Sequence, residues 1–312
     1  MSKVIICYHK DDMDGNCSAA IAYKYALESI VEGNREDIII VPMSYGTPFD
    51  FTQIDLENDL AIFVDFTLQP FKEMLKFNST NLILIDHHKT TIESLAANPD
   101  FVPNGIIGDI DNTQSAAELA WKFFYPNTTL PLFAQYISWY DVWKVDLPNW
   151  EDHIVAFNEG IKTFLGNFEN DRESWLALID WSLQTEGEKA LAYVSFMTEC
   201  LRWGKQILRS NTERNNEIIK NNSFVTELEG HKALAINANE ELRNFIITSP
   251  IWREGDFDIA ICYNFKQSYY KVSLRTDKKD IDCSEIAKKH KGAGHAGASG
   301  FQCKKLPFKL GK

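Results

Sequence analysis

The sequence predicts an α/β fold in which a parallel-sheet domain is followed by a smaller α/β domain. Short runs of Val, Ile and Leu without polar alternation occur at residues 4–8, 60–64 and 81–85. Such runs are typical of strands that are buried on both faces, as in a parallel sheet. Segments with apolar residues near the 3.6-residue period lie between these runs and predict helices. The 312 residues are enough for two domains with separate cores.

The first domain, predicted at residues 1–200, is expected to alternate strands and helices. Strands are predicted at residues 4–8, 37–43, 60–64 and 81–85, with a short strand or turn at 105–108. Helices are predicted at residues 17–31, 69–77 and 90–97, and again after Ser115, which forms a capping box with Glu118. Pro42 is expected to end the second strand. Asp109 and Asp111 are interpreted as capping or turn acids.

Polar residues follow three of the predicted strands. Asp86, His87 and His88 follow one strand, Asp65 follows another, and His9, Asp12 and Asp14 follow the first. The carboxyl ends of strands face the ligand crevice of an open α/β sheet. A single acid such as Asp65 is more often a turn residue, and adjacent histidines can lie in a solvated turn. The convergence of all three segments, however, favours a pair of divalent metal ions such as Mn²⁺. The sequence has no CxxC or HExxH spacing that would predict a structural zinc site.

Three motifs in the same order resemble the DHH phosphoesterase superfamily. They are Asp86-His87-His88, the segment with His9, Asp12 and Asp14, and the glycine-rich segment at residues 292–300, which resembles the DHH-associated C-terminal domain. The resemblance extends from residue 4 to about residue 303 and is specific because the three motifs occur together. It implies a metal-dependent phosphoesterase with a parallel-sheet DHH domain, a helical linker and an active site in the cleft between two domains.

The resemblance also implies roles for individual residues. One divalent ion would be held by His9, Asp12 and Asp65, and the other by Asp14, Asp65, His87 and Asp141, so that Asp65 bridges the two. As catalytic residues, His88 would stabilise the phosphoryl oxygens or assist proton transfer, and Asp86 would orient a histidine. Two residues separate His9 from Asp12, where the superfamily has one or three, so Asp11 stays open as an alternative ligand. The match of residues 12–15 to D-x-D-G favours Asp12.

The second domain is predicted at residues 224–312, after a linking helix at residues 201–223. Strands are expected at residues 231–236, 258–263, 269–275 and 300–303, and a helix at 282–290. The glycine-rich turn lets backbone N–H groups approach a phosphate closely, because no Cβ is in the way. The predicted substrate-binding residues are Arg275, Gly292, Gly294, His295 and Gly297.

Composition limits the class of partner. A net charge of −12 argues against a protein that coats long nucleic acids. Residues 262–312 nevertheless carry 12 Lys and Arg against 4 Asp and Glu, whereas the rest of the chain carries 20 against 40. Six cysteines without paired spacing are typical of buried thiols in a reducing cytosol. A strand predicted directly at the N-terminus and the lack of an apolar run of about 18 residues predict a cytoplasmic protein without a membrane span.

The leading hypothesis from the sequence is a phosphodiesterase that cleaves short oligonucleotides or dinucleotides, as nanoRNases do. The expected partners are such a substrate and, as an option that the sequence leaves open, a second copy of the chain; binding of long duplexes is not expected. Three alternatives remain: a RecJ-like single-strand exonuclease, a polyphosphate hydrolase, and a sensor that binds a cyclic dinucleotide without catalysis. A complete set of metal ligands argues against the sensor.

Overall fold

A computed structural model describes residues 3–108 and 113–311 of the chain. The chain divides into two units, Met1–Ile207 and Leu208–Lys312. This boundary falls inside one long helix, α7 (Gly187–Asn222), which begins well before the linking helix expected from the sequence. Asp109 and Asp111, interpreted above as capping or turn acids, lie outside the described residues.

The first unit contains a parallel sheet, as predicted. Its strands are β1 (Val4–His9), β2 (Ile38–Met43), β3 (Leu60–Val64), β4 (Leu82–Asp86) and β5 (Asn104–Ile107). They lie in the order β2-β1-β3-β4-β5, and all neighbouring pairs are parallel. Because β1, β3 and β4 are adjacent and parallel, their carboxyl ends lie side by side at one edge of the sheet.

Pro42 does not end the second strand. It lies inside β2 and pairs in register with Tyr8. The position accepts proline because β2 is an edge strand, where a missing backbone N–H can face outward without removing a bond from the ladder.

Helices lie between and after these strands in the chain, and the first and third of them pack directly on the sheet. They are α1 (Met13–Ser29), α2 (Lys89–Ala96), α3 (Ala116–Phe124), α4 (Leu132–Asp141), α5 (Ala156–Ile161) and α6 (Arg172–Ser182). The helix α1 begins four residues earlier than predicted, since Asp12 caps it by accepting a hydrogen bond from the N–H of Gly15. Residues 71–76, predicted as an α-helix, form a 3-10 helix instead.

One hydrophobic cluster of the first unit lies between α1 and the sheet, and a second contains the alternate residues of the same strands. The buried face of α1 is rich in alanine, which lets the helix pack closely on β1 and β3. Large side chains, among them Trp121, Phe133 and Trp175, are fully buried around this contact. The helices α5 and α7 also pack closely on each other. A Cβ at Gly160 of α5 would lie 1.8 Å from the carbonyl oxygen of Cys200 in α7, so the two backbones are in direct contact at this glycine.

The second unit contains a mixed sheet. Its strands are β6 (Ser223–Leu228), β7 (His231–Asn237), β8 (Ile259–Lys266), β9 (Tyr269–Arg275), β10 (Ala293–His295) and β11 (Ala298–Cys303), in the order β10-β11-β9-β8-β7-β6. Only β7 and β8 pair in parallel among these described strands. Two helices accompany the sheet, α8 (Pro250–Glu254) and α9 (Cys283–Lys289).

The glycine-rich segment is a hairpin and not an open turn. The strand β10 pairs with β11, and only residues 296–297 form the connection. Gly294 has a φ of +144°, and a Cβ there would lie 2.5 Å from the Cα of Ser299. The glycine is therefore required by the close approach of the two hairpin strands as well as by its backbone conformation.

All six cysteines are free thiols, as the sequence indicated, and five of them are buried. None of the helices in the described residues is both long enough and apolar enough to cross a membrane.

Candidate metal centre

The carboxyl ends of three neighbouring strands bring the predicted metal ligands together. His9 ends β1, Asp65 directly follows β3, and His87 directly follows β4. Their ligand atoms, with those of neighbouring residues, form three overlapping groups in which all atoms lie within 4.8 Å of one another. These groups are His9, Asp12 and Asp65; Asp65, His87 and His88; and Asp14, His87 and Asp141.

The first group is shaped by the start of α1. The Nδ1 atom of His9 lies 2.7 Å from Oδ2 of Asp12 and 3.8 Å from Oδ2 of Asp65. Gly15 makes this turn possible, because a Cβ there would lie 1.9 Å from the carbonyl oxygen of His9. Asp11, the alternative ligand, is exposed and has its Oδ2 atom 3.6 Å from Nε2 of His9. Asp12, and not Asp11, therefore lies in one group with both His9 and Asp65.

Asp65 is held in a conformation that is unusual for its residue type. Its φ is +56°, in the left-handed region, and its N–H donates a hydrogen bond to the carbonyl oxygen of Ile85. A non-glycine residue in this region carries strain of about 1–3 kcal/mol and keeps it only where its surroundings fix the backbone. The residue is 1% exposed, and its Oδ1 atom has no hydrogen-bond partner. A buried carboxylate oxygen without a donor is suited to a cation.

His87 joins the other two groups. Its Nε2 atom lies 3.3 Å from Oδ1 of Asp65, 3.4 Å from Oδ2 of Asp141 and 3.8 Å from Oδ2 of Asp14. Asp141 lies at the end of α4. Its Oδ2 atom, like Oδ1 of Asp65, is buried and has no hydrogen-bond partner. Both oxygens of Asp14 accept hydrogen bonds from the N–H groups of Ala116 and Ala117, so this carboxylate also caps α3.

Asp86 makes a different set of contacts. Its Oδ1 atom accepts hydrogen bonds from the N–H groups of His87 and His88 and lies 2.7 Å from Nδ1 of His88, while its Oδ2 atom accepts from the hydroxyl of Thr91. The carboxylate of Asp86 is thus fully engaged and belongs to none of the three ligand groups formed by the described residues. It fixes the ring of His88, whose Nδ1 lies 3.8 Å from Oδ1 of Asp65.

The electrostatics of the cluster fit a divalent cation. Burial, together with the charges of Asp141 and Asp65, raises the pKa of Asp14 well above its ordinary value. Burial and the charge of Asp65 raise the pKa of Asp141 to about 7. Carboxylates that are buried beside like charges repel one another, and a cation among them removes this repulsion. The two carboxylate oxygens without partners and the mixed oxygen and imidazole donors therefore fit metal ions of the Mn²⁺ type.

The pKa values of two histidines in the cluster are raised as well. The hydrogen bond to Asp12 and the nearby carboxylate of Asp65 raise the pKa of His9 to about 10. Burial lowers the pKa of His87, but the carboxylates of Asp65, Asp14 and Asp141 outweigh it, so that this pKa also rises to about 10. In the absence of metal, protons on these rings would partly replace the missing positive charge.

The predicted substrate-binding residues are only partly brought together in the second unit. Arg275 and Gly294 line a cavity of about 350 Å³, together with Arg243 and Lys271. His295 is exposed, and neither it nor Gly292 or Gly297 lines this cavity. Burial and the charge of Arg243 lower the pKa of Arg275. Such a cationic cavity is suited to an anion.

Sequence reasoning missed two cationic residues of this cavity, Arg243 and Lys271. Lys271 could have been found, because it alternates with Ser273 and Arg275 along β9 and so lies on the same face of the sheet. Arg243 lies in a 3-10 segment, Glu240–Asn244, whose sequence has no signal that would connect it with β9.

Part of the chain matches a known family model. Residues 3–138 match the model of the DHH family, N-terminal domain. An uncharacterized protein of Acanthamoeba polyphaga mimivirus is 26% identical over 311 residues, which cover 95% of this chain. The chain spans 66% of the length of that curated relative.

Solved structures are similar at lower identity. A pGpG-specific phosphodiesterase from Vibrio cholerae is 16% identical, with a TM-score of 0.42, over 97% of this chain and 93% of that chain. RecJ from Thermus thermophilus, in complex with Mn²⁺, is 15% identical, with a TM-score of 0.44, over 96% of this chain and 49% of that chain.

Proposed function

We propose that this chain, whose residues 3–138 match the model of the DHH family N-terminal domain, is a divalent-metal-dependent phosphodiesterase that hydrolyses short oligonucleotides or dinucleotides to mononucleotides. The observation that carries the proposal is the sharing of ligands: Asp65 and His87 each belong to two of the three groups of potential ligands. Shared ligands are what two adjacent metal ions need.

We assign one ion to His9, Asp12 and Asp65, and a second to Asp14, Asp65, His87 and Asp141. Mn²⁺ is the ion that we propose, because carboxylate oxygens, which are most of the donors here, suit it. When bound, a pair of divalent ions makes a water molecule nucleophilic near neutral pH and neutralises charge on the reacting phosphate.

The residues of the chain then have separate tasks. Asp86 holds His88 by its Nδ1 atom, at 2.7 Å, which leaves the Nε2 side of the ring to hydrogen-bond the phosphoryl oxygens or to move a proton. The hydrogen bond with Asp86 raises the pKa of His88, so the ring carries its proton over a wider pH range than a free histidine does. A protonated imidazole is a better donor to a phosphate oxygen.

The substrate class is inferred from charge. Three cationic residues, Arg243, Lys271 and Arg275, line the cavity of the second unit, and their charge favours a phosphate group. Outside residues 262–312, acidic residues outnumber basic residues two to one, so a long polyanion would be repelled along most of the chain. Short substrates avoid this repulsion.

The test is a substrate panel in the presence of Mn²⁺. It contains RNAs of two to five nucleotides, cyclic dinucleotides, adenosine 3′,5′-bisphosphate, polyphosphate and a long single strand. We expect the highest kcat/KM for the shortest linear substrates. A preference for the long strand would favour a RecJ-like exonuclease, and a preference for polyphosphate would favour a polyphosphate hydrolase. Binding of a cyclic dinucleotide without any turnover would favour a sensor.

Two variants test whether hydrolysis depends on the metal centre. Asp65→Ala should lose turnover on every substrate of the panel, because Asp65 belongs to two groups of ligands. Asp100→Ala is the matched control, since Asp100 is an exposed acid of the same unit. Equal activity of the two variants would contradict the assignment of the centre.

A further inference from the structure

A cavity of about 520 Å³ in the first unit lies directly beside the metal centre. It lies between the start of α1 and the end of α4, and Asp12, Asp14 and Asp141 line its wall. Its volume is within the range of about 300–1,000 Å³ that small-molecule sites commonly have. A molecule in this cavity would therefore contact three of the proposed metal ligands.

An aromatic platform forms part of the same wall. Trp143 lines the cavity, and the residue is 66% exposed. Its ring lies 5.8 Å from that of Tyr140, with an angle of 29° between the planes, and Tyr140 stacks in turn on Trp150. The φ of Trp143 is +50°, an outlying conformation for a bulky residue. A supported indole that remains largely open to solvent offers a flat surface on which a planar ring can stack.

Asn158 also lines this cavity, and its side-chain amide has a buried oxygen without a partner. The residue is only 1% exposed. Its Nδ2 group donates to the carbonyl oxygens of Tyr136 and Ile154, both at 2.9 Å, which fixes the orientation of the amide. Its Oδ1 atom is buried and has no partner. A buried acceptor without a donor is unfavourable in the free protein and would be satisfied by a ligand with an N–H group.

Two lysines complete the wall beside these groups. Lys10 and Lys162 both line the cavity, and Lys162 also donates to Glu159 at 2.7 Å. They place positive charge next to the carboxylates of the centre. The ligand that fits a flat platform, a buried acceptor, nearby cations and an adjoining metal centre is a planar heterocycle that carries both an N–H group and a phosphate.

We propose that this cavity is the nucleobase subsite of the first unit, in which Trp143 stacks on the base of a nucleotide whose phosphate lies at the metal centre and Asn158 accepts an N–H of that base. The inference rests on the proposed function for the phosphate at the metal centre. It adds a specificity element that lies outside residues 3–138 of the family match and outside the second unit. Every common base has an N–H donor, so the subsite selects for a base without strict selection among bases.

The test measures binding and needs no turnover. Three probes are titrated by calorimetry with Mn²⁺ present: adenosine 5′-monophosphate, purine riboside 5′-monophosphate, which stacks but has no base N–H, and ribose 5-phosphate, which has no base. For the wild-type chain we expect the adenine nucleotide to bind about tenfold or more tightly than ribose 5-phosphate. The purine nucleotide should fall between them, because it leaves the Oδ1 atom of Asn158 unpaired.

Trp143→Ala should weaken binding of adenosine 5′-monophosphate about tenfold and leave ribose 5-phosphate unchanged. Because Trp143 is exposed, its removal leaves the core intact. Trp203→Ala is the matched control, since Trp203 is also exposed, lies on α7 and is not part of the wall of this cavity. The inference is overturned if the adenine nucleotide does not bind, if Trp143→Ala binds it as the wild type does, or if this variant weakens both probes equally.

These outcomes are separate from failure of the proposed function. If the chain binds adenosine 5′-monophosphate through Trp143 but hydrolyses no phosphodiester, the subsite is supported and the proposed function is contradicted. If the wild type and Trp143→Ala cleave dinucleotides with the same KM, the proposed function is supported and the subsite is contradicted.

Discussion

Asp141 allows a sharp test of the metal centre that needs no substrate. Its carboxylate is mostly buried, one of its oxygens has no hydrogen-bond partner, and Oδ2 lies 3.4 Å from Nε2 of His87. In the absence of metal, burial and the charge of Asp65 raise its pKa from 3.8 to about 7. Replacement of this carboxylate by the amide of Asn removes the charge and keeps the shape.

The sign and size of the effect of Asp141 on the free energy of unfolding follow from proton linkage. An acid whose pKa is higher in the folded state than in the unfolded state destabilises the fold as pH rises between the two values. For Asp141 the penalty should therefore develop between about pH 4 and pH 7, and a shift from 3.8 to about 7 corresponds to roughly 4 kcal/mol at higher pH. The raised pKa values of His9 and His87, about 10, act in the same direction. The stability that their protonation contributes is complete below about pH 6.5 and is lost as pH rises toward 10.

The assay is thermal unfolding of chelated protein from pH 4 to pH 9, with and without Mn²⁺. At pH 8, metal-free Asp141→Asn should unfold roughly 10 °C above the metal-free wild type, as expected for about 4 kcal/mol in a unit of this size. At pH 4 the two should differ little. Mn²⁺ should stabilise the wild type strongly at pH 8 and weakly at pH 5, where protons compete for the ligands, and should stabilise Asp141→Asn much less.

Asp100→Asn serves as the control for loss of one negative charge from an acidic protein, because Asp100 is exposed. It should leave the Tm of the metal-free protein nearly unchanged at both pH values. The reasoning is refuted if metal-free Asp141→Asn is no more stable than the wild type at pH 8, or if the control variant gains as much. It is also refuted if Mn²⁺ stabilises the wild type equally at pH 5 and pH 8.

Three further predictions concern activity. Removal of metal by EDTA and dialysis should abolish hydrolysis, and added Mn²⁺ should restore it; full turnover in excess EDTA would exclude metal dependence. Arg275→Ala should raise KM for dinucleotides about tenfold and change hydrolysis of bis(p-nitrophenyl) phosphate little, whereas equal loss on both substrates would show that Arg275 does not serve nucleotide binding. For 5′-phosphorylated RNAs from two to about 24 nucleotides, kcat/KM should fall steeply beyond roughly four nucleotides, and a flat or rising profile would favour an exonuclease.

The strands of the first unit could be predicted because each carries its own signal. Continuous apolar runs such as residues 60–64 need burial on both faces, and only a parallel sheet covered by helices provides it. The proximity of His9, Asp65 and His87 follows from the same rule, since each is at or just beyond the carboxyl end of a strand. Their separation in the sequence is irrelevant once the strand order is known.

The features that the sequence did not reveal depend on contacts between distant segments. Gly294 is a poor strand residue by propensity, yet it lies in β10 because the partner strand approaches too closely for a side chain. The Nδ2 group of Asn158 donates to the carbonyl oxygens of Tyr136 and Ile154, and these two bonds fix the orientation of the amide. In this orientation the Oδ1 atom of Asn158 has no partner. A local pattern cannot report a hydrogen bond that is missing after folding.

The two hydrogen bonds of Asp14 bear on how related sequences should be interpreted. Its oxygens cap the N-terminus of α3 through Ala116 and Ala117, and the same carboxylate faces His87. A descendant that has lost catalysis would still need this acid to hold α3, because an asparagine has one acceptor oxygen for two N–H groups. His88 is bound to the fold mainly through Asp86 and could be replaced at less risk to folding. In a relative of unknown activity, retention of Asp14 is therefore weak evidence for a working enzyme, and retention of His88 is stronger evidence.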